Sequence, residues 1–80
     1  MKIQILGTGC PKCKTLAANT KQAVEELGLY AEIEKIEDIR EIMKFNILTT
    51  PGLAIDGNVK AAGRVLSTDE IKKLLTASGG

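Results

Sequence analysis

Two cysteines separated by two residues, in the run Gly9-Cys10-Pro11-Lys12-Cys13-Lys14, are the side chains here whose type and spacing point to a reaction. Thiols this close can form and break a mutual disulfide, and they can also share a soft metal ion. Their setting favours exchange. An apolar strand precedes Cys10, a short glycine turn follows it, and a helical period starts at Pro11. The first turn of a helix presents unpaired N–H groups and about half a positive charge, which favours a thiolate over a thiol. Lys12, with Lys14, adds positive charge nearby, and Pro11 is a good first helical residue. Cys10 is expected exposed at the helix tip, and Cys13, one turn in on the apolar face, shielded. That asymmetry makes Cys10 the attacking thiol and Cys13 the resolving one. A drop in the Cys10 pKa from about 8.5 to about 7 raises the thiolate fraction roughly fifteenfold at neutral pH. Lower intrinsic nucleophilicity gives back about fivefold, so the larger gains are a better leaving group and a more stable dithiol.

Three other uses of the pair compete. As a structural staple it closes only a four-residue ring, for roughly 2 kcal/mol, against about 4.7 for a hundred-residue loop. As a metal site it could bind or transfer Cu(I) or another soft metal through two thiolates. Small copper-carrying domains usually place Met two residues before the first Cys, whereas this chain has Thr8. An iron–sulfur cluster would need a second chain to complete its ligands. With two Cys and no His, one chain cannot close a tetrahedral zinc site.

Other motifs fail. Gly7-Thr8-Gly9 has Lys12 where a dinucleotide fingerprint needs its third glycine, and Lys14-Thr15 follows Cys13 rather than Gly, so no phosphate loop forms. Glu25, Glu26, Glu32, Glu34 and Glu37 fit solvated faces rather than a paired-carboxylate site. Eleven Lys and Arg against ten Asp and Glu leave a net charge of +1, without the basic excess of a nucleic-acid or anionic-membrane surface. No apolar run near the start is long enough for a signal-peptide core or a spanning helix. The expectation is a small soluble cytoplasmic protein, a compartment in which C-x-x-C is more often catalytic or metal-binding than structural.

The elements that must position the cysteines follow from changes of period. Eighty residues make one domain, and with one Tyr and one Phe its core must be aliphatic. Lys2 to Leu6 alternates like a strand. Cys13, Leu16, Ala17, Thr20, Val24 and Leu27 then mark one helical face, with Gly28 where a left-handed C-cap belongs. Tyr30 to Ile36 reads as a second strand. Asp38 opens a short helix, with Glu41 as its capping partner, Ile39, Ile42 and Met43 as its apolar stripe, and Asn46 as a left-handed exit. After the break at Thr49-Thr50-Pro51-Gly52, Leu53 to Ile55 and Val59 to Ala62 form a hairpin around Asp56-Gly57-Asn58. Ser67-Thr68-Asp69-Glu70 is a full capping box before Ile71, Leu74 and Leu75. The order βαβαββα predicts an α/β fold with a four-stranded mixed sheet flanked by helices. The domain is expected over 1–76, with 77–80 a flexible tail. The terminal Gly-Gly is not that of a ubiquitin-like modifier, because those proteins begin with a hairpin.

With Gly7-Thr8-Gly9-Cys10-Pro11-Lys12-Cys13 after the first strand and Thr50-Pro51-Gly52-Leu53-Ala54-Ile55-Asp56-Gly57 at the hairpin, residues 1 to 76 resemble the thioredoxin superfamily. More narrowly, they resemble its small thioredoxin-like "redox-active disulfide protein" family of archaea and bacteria. The resemblance implies a thiol–disulfide oxidoreductase of the thioredoxin or glutaredoxin type, an electron carrier whose cofactor is its own Cys10–Cys13 disulfide, with no metal. It implies that Pro51 is a cis-proline facing the dithiol, and that the Thr50 backbone pairs with an extended substrate, with Gly9 on the other side. Pro51 also suits the start of a central strand, where a missing N–H is tolerated. Partners would be a disulfide-containing protein or small molecule and an upstream reductase, with no nucleic acid or membrane, and the chain acting as a monomer. Thioredoxins proper carry Trp before the first Cys, Gly-Pro between the two, and a buried acid on the strand before them. The corresponding features here are Gly9, Pro11-Lys12 and Gln4.

Overall fold

The alternating Lys-Ile-Gln-Ile-Leu run forms strand β1 (Lys2–Leu6). A pleated strand sends successive side chains to opposite faces, so Ile3 and Ile5 point one way and Gln4 and Leu6 the other. The protein is described from a computed structural model over residues 1–9 and 11–78. Helix α1 (Pro11–Leu27) buries Cys13, Leu16, Thr20 and Val24 of the predicted stripe and Ala23 beside it, with Ala17 and Leu27 partly buried. Thr20, fully buried, donates its hydroxyl to the Leu16 carbonyl at 2.8 Å, so no polar atom is stranded. Gly28, at φ 65°, ends the helix as expected.

Strand β2 (Glu32–Ile36) pairs parallel to β1, from Lys2↔Glu32 to Leu6↔Ile36, and α1 is the crossover between them. The strand starts at Glu32 rather than Tyr30. Pairing begins only where the Glu32 N–H reaches the Met1 carbonyl, at 3.0 Å, and Tyr30 before it is 99% exposed. Helix α2 (Ile39–Met43) is capped by the Asp38 carboxylate, which accepts from the Arg40 N–H at 2.9 Å. Glu41 does not complete a capping box; it pairs with Lys44 at 3.2 Å. Nor do Ile39 and Met43 join the core, being 58% and 65% exposed, and Ile42 alone is buried. A helix of barely more than one turn can aim only one side chain at the sheet.

Strands β3 (Gly52–Ile55) and β4 (Asn58–Ala62) make the hairpin. Its two-residue turn, Asp56-Gly57, has φ of 50° and 85°, the positive pair that suits the twist of the flanking strands. The sheet order is β2-β1-β3-β4, with β3 antiparallel to both neighbours and a bulge in β4, where Lys60 is passed over between the partners of Leu53 and Ala54. All four residues of β3 are buried. One face of the sheet packs Ile3, Ile5, Leu53 and Ile55 against Leu16 and Val24 of α1 and Ile71 and Leu75 of the last helix. The other packs Leu6 and Ala54 against Ile42, with Ile36, Phe45 and Ile47 at the margin. The predicted α/β architecture, a four-stranded mixed sheet flanked by helices, is the one observed.

Helix α3 (Thr68–Ser78) begins at the predicted capping box. The Glu70 N–H donates to Ser67 Oγ and the Ser67 N–H donates to Glu70 Oε1, each at 3.2 Å. Ser67→Ala is therefore expected to cost about 1 kcal/mol in urea denaturation, the usual value of such a cap; an unchanged midpoint would show that the box contributes nothing. The helix also runs past residue 76 to Ser78, so the helical part of the domain is longer than expected. The Thr76 hydroxyl bonds back to the Lys72 and Lys73 carbonyls at 3.0 Å, and Ala77 is a strong helix former. Gly79 and Gly80, the rest of the expected tail, lie outside the described residues. Between α1 and α3, Lys72 reaches Glu26 at 2.9 Å, and the Asn19 amide of α1 donates to the Leu66 carbonyl just before α3 at 2.9 Å. No helix among the described residues is long and apolar enough to cross a membrane.

Candidate active site

The site lies where β1 passes into α1. The β1–β2 ladder continues one step beyond the strand, with the Gly7 N–H donating to the Ile36 carbonyl at 3.0 Å. The chain then turns through Thr8 and Gly9, and Pro11 is the first residue of α1. Gly9 has φ 89°, a left-handed conformation that favours glycine. Cys10 lies outside the described residues, so its expected place at the helix tip rests on the sequence.

Cys13 is 5% exposed, on the face of α1 that meets the sheet. Its sulfur rests directly on Gly7. A Cβ built at Gly7 would overlap Cys13 Sγ, would stand 3.2 Å from Cys13 Cβ, and would come within 3.9 Å of Pro51 Cα. Gly7 is thus a contact plate, and its lack of a side chain lets thiol and proline approach the same point. Pro51 is buried at the start of β3, and the Thr50–Pro51 peptide bond is cis. The Pro51 carbonyl accepts from the Gly63 N–H at 2.8 Å, extending the β3–β4 ladder beyond Gly52. Thr50, next to it, is exposed.

The structure brings Gly9, Cys13 and Pro51 together around Gly7. Pro11 and Lys12 are exposed on the first turn of α1. Lys12 is absent from the lining of the pocket beside Cys13; the α1 cation there is Lys14. Two residues that the sequence assigns to no site also line this pocket of about 70 Å³: Lys35 and Glu37, from the end of β2. The Glu37 carboxylate comes close to Gly9, its Oε2 3.1 Å from where a Gly9 Cβ would stand. The only sequence signal for this was parallel pairing, which sets the residue after Ile36 level with Gly7. Gln4 lies elsewhere. It shares its sheet face with Leu6 and Ala54, opposite to Ile5, and donates to Glu34 Oε1 at 3.1 Å. That bond, with Lys2 nearby, holds the Glu34 carboxyl below its ordinary range.

No cluster of three or more His, Cys, Asp or Glu that could hold a metal ion occurs among the described residues. Residues 1–76 match the thioredoxin domain family. A thioredoxin of Methanothermobacter thermautotrophicus is 51% identical over 76 residues, covering 95% of this chain and 99% of that protein. A thioredoxin of Methanocaldococcus jannaschii is 48% identical over 73 residues, covering 91% and 84%. These relatives support disulfide exchange and lend no support to metal transfer.

Proposed function

The chain belongs to the thioredoxin family and is a thiol–disulfide oxidoreductase, and from that premise we propose how its residues divide the work. The Cys10 thiolate attacks a substrate disulfide. A mixed disulfide forms between Cys10 and one substrate sulfur, and the other substrate sulfur leaves as a thiolate. The Cys13 thiolate then attacks Cys10 Sγ. The Cys10–Cys13 bond forms, the second substrate thiol is released, and two electrons have passed to the substrate. An upstream reductase returns the pair to the dithiol.

The observation that carries this reading is the packing of Cys13 Sγ onto Gly7, with Pro51 on the same plate. A resolving thiol must be held still and close to the start of α1, and this contact holds it. Cys10 directly precedes the first turn of α1, whose N–H groups and the neighbouring Lys12 favour a thiolate. Beyond Pro51, β1 has already ended, so the exposed Thr50 backbone offers an edge on which an extended substrate can lie, with Gly9 opposite. The chain needs no separate cofactor in this scheme, acts as a monomer, and works in the cytoplasm, where thiols are kept reduced.

The test is catalysed reduction of insulin driven by dithiothreitol. The wild-type protein is expected to bring forward the precipitation of the insulin B chain. A time course no faster than dithiothreitol alone would show the pair to be an inert staple.

A further inference from the structure

Resolution requires Cys13 to lose its proton, and a thiol enclosed in an apolar setting ionises reluctantly. The strand that precedes the cysteines brings no acid to help, since Gln4 faces the other side of the sheet. A carboxylate arrives from the residue after β2 instead. The Gly7–Ile36 hydrogen bond extends the parallel ladder, so Glu37 comes level with the Gly7-Thr8-Gly9 turn. Its Oε2 lies against Gly9, and Glu37 and Cys13 line one pocket of about 70 Å³. That volume holds water, which needs about 10–15 Å³ by the same kind of measure. Among the described residues, the other charged groups lining the pocket are Lys14 of α1 and Lys35 of β2; β1 contributes Ile5, and the turn after it Gly7 and Gly9. Two ammonium groups thus line the same pocket as the carboxylate.

We propose that Glu37 is the positioning residue that accepts the Cys13 proton, through water in this pocket, as Cys13 closes on Cys10. The Cys13 S–H bond breaks and the proton reaches a Glu37 carboxylate oxygen. The Cys13 thiolate forms the bond to Cys10 Sγ, and the substrate thiolate leaves. Glu37 then returns the proton to that thiolate or to solvent. The inference rests on the exchange roles of Cys10 and Cys13.

The test uses the whole reduced protein with 5,5′-dithiobis(2-nitrobenzoate), followed by stopped flow. Two coloured thiols are released in turn, the first on attack by Cys10 and the second on resolution by Cys13. At pH 7, Glu37→Gln is expected to slow the second release about 10²-fold, the low end of what a placed acid–base group supplies. The gap should narrow as the pH rises, because hydroxide then removes the proton that Glu37 would otherwise accept. Glu37→Asp, which keeps the carboxylate, should recover part of the rate. Slowing by the same factor at every pH would mean a structural role only. A faster second release would mean simple charge repulsion. Either result, or no change, overturns the inference while leaving the exchange reading intact. A wild-type protein that gives no second release overturns the exchange reading and the inference with it.

Discussion

Cys10→Ser is expected to reduce insulin no faster than the reductant alone, whereas Cys13→Ser should accumulate as a covalent adduct with its substrate. The two losses differ because, in the proposed scheme, the steps differ. Without Cys10 there is no thiol at the start of α1 to attack. Without Cys13 the attack survives and the mixed disulfide persists. External thiol is a poor replacement, because well-oriented intramolecular groups act at effective concentrations of roughly 10⁵ M and above. The buried seat of Cys13 against Gly7 supplies that orientation. Intact-protein mass spectrometry after mixing with a disulfide-containing peptide separates the variants. One peptide should be retained on Cys13→Ser and none on Cys10→Ser. Equal retention by both would refute the assigned roles.

Gly7→Ala is expected to destabilise the protein by about 1–3 kcal/mol, the range for adding atoms to a filled core. The added methyl would meet Cys13 Sγ and lie 3.2 Å from Cys13 Cβ, with Pro51 Cα behind it. Relief is not available on either side. Gly7 is fixed by its bond to Ile36, and Cys13 by the packing of α1 on the sheet. The sulfur must therefore move, and resolution should slow along with the loss of stability. Urea denaturation of Gly7→Ala, Cys13→Ala and the double variant measures the clash. The double variant should recover part of the loss, because removing the sulfur vacates the overlapped space, and residues in contact couple by about 0.5–3 kcal/mol. Strict additivity of the two single effects would contradict the contact.

What could be read from the sequence was mostly local. The α1 stripe from Cys13 to Val24, the Ser67–Glu70 capping box and the Asp56-Gly57 turn each depend on residues within one or two turns of chain. All three stand where the periods and caps put them. Glu37 was not legible as a site residue. Its place beside Cys13 depends on the register of two parallel strands joined by a seventeen-residue helix, and in the sequence it is one acid among several on an acidic stretch. The exposure of Ile39 and Met43 was hidden for another reason. An apolar stripe predicts burial only if the helix is long enough to lie along the sheet, and α2 has five residues. The end of α3 was misjudged because Thr and Ser read as tail residues, yet the Thr76 hydroxyl bonds to its own helix.

The bulge at Lys60, opposite Leu53 and Ala54, has a consequence for how copies of this chain meet at high concentration. An open sheet exposes two outer strands, and each can template another chain. Here the β4 side is protected by that irregularity, since a bulge bends the strand and steepens its twist, so a straight incoming strand loses register. Lys60 on β4 adds charge that a like-charged copy would have to bury. On the β2 side, Glu32 and Lys35 are exposed along the outer strand and do the same. Flanked in this way, the apolar β3 stays interior to one molecule, and the strands left at the two edges are the bulged and the charged ones.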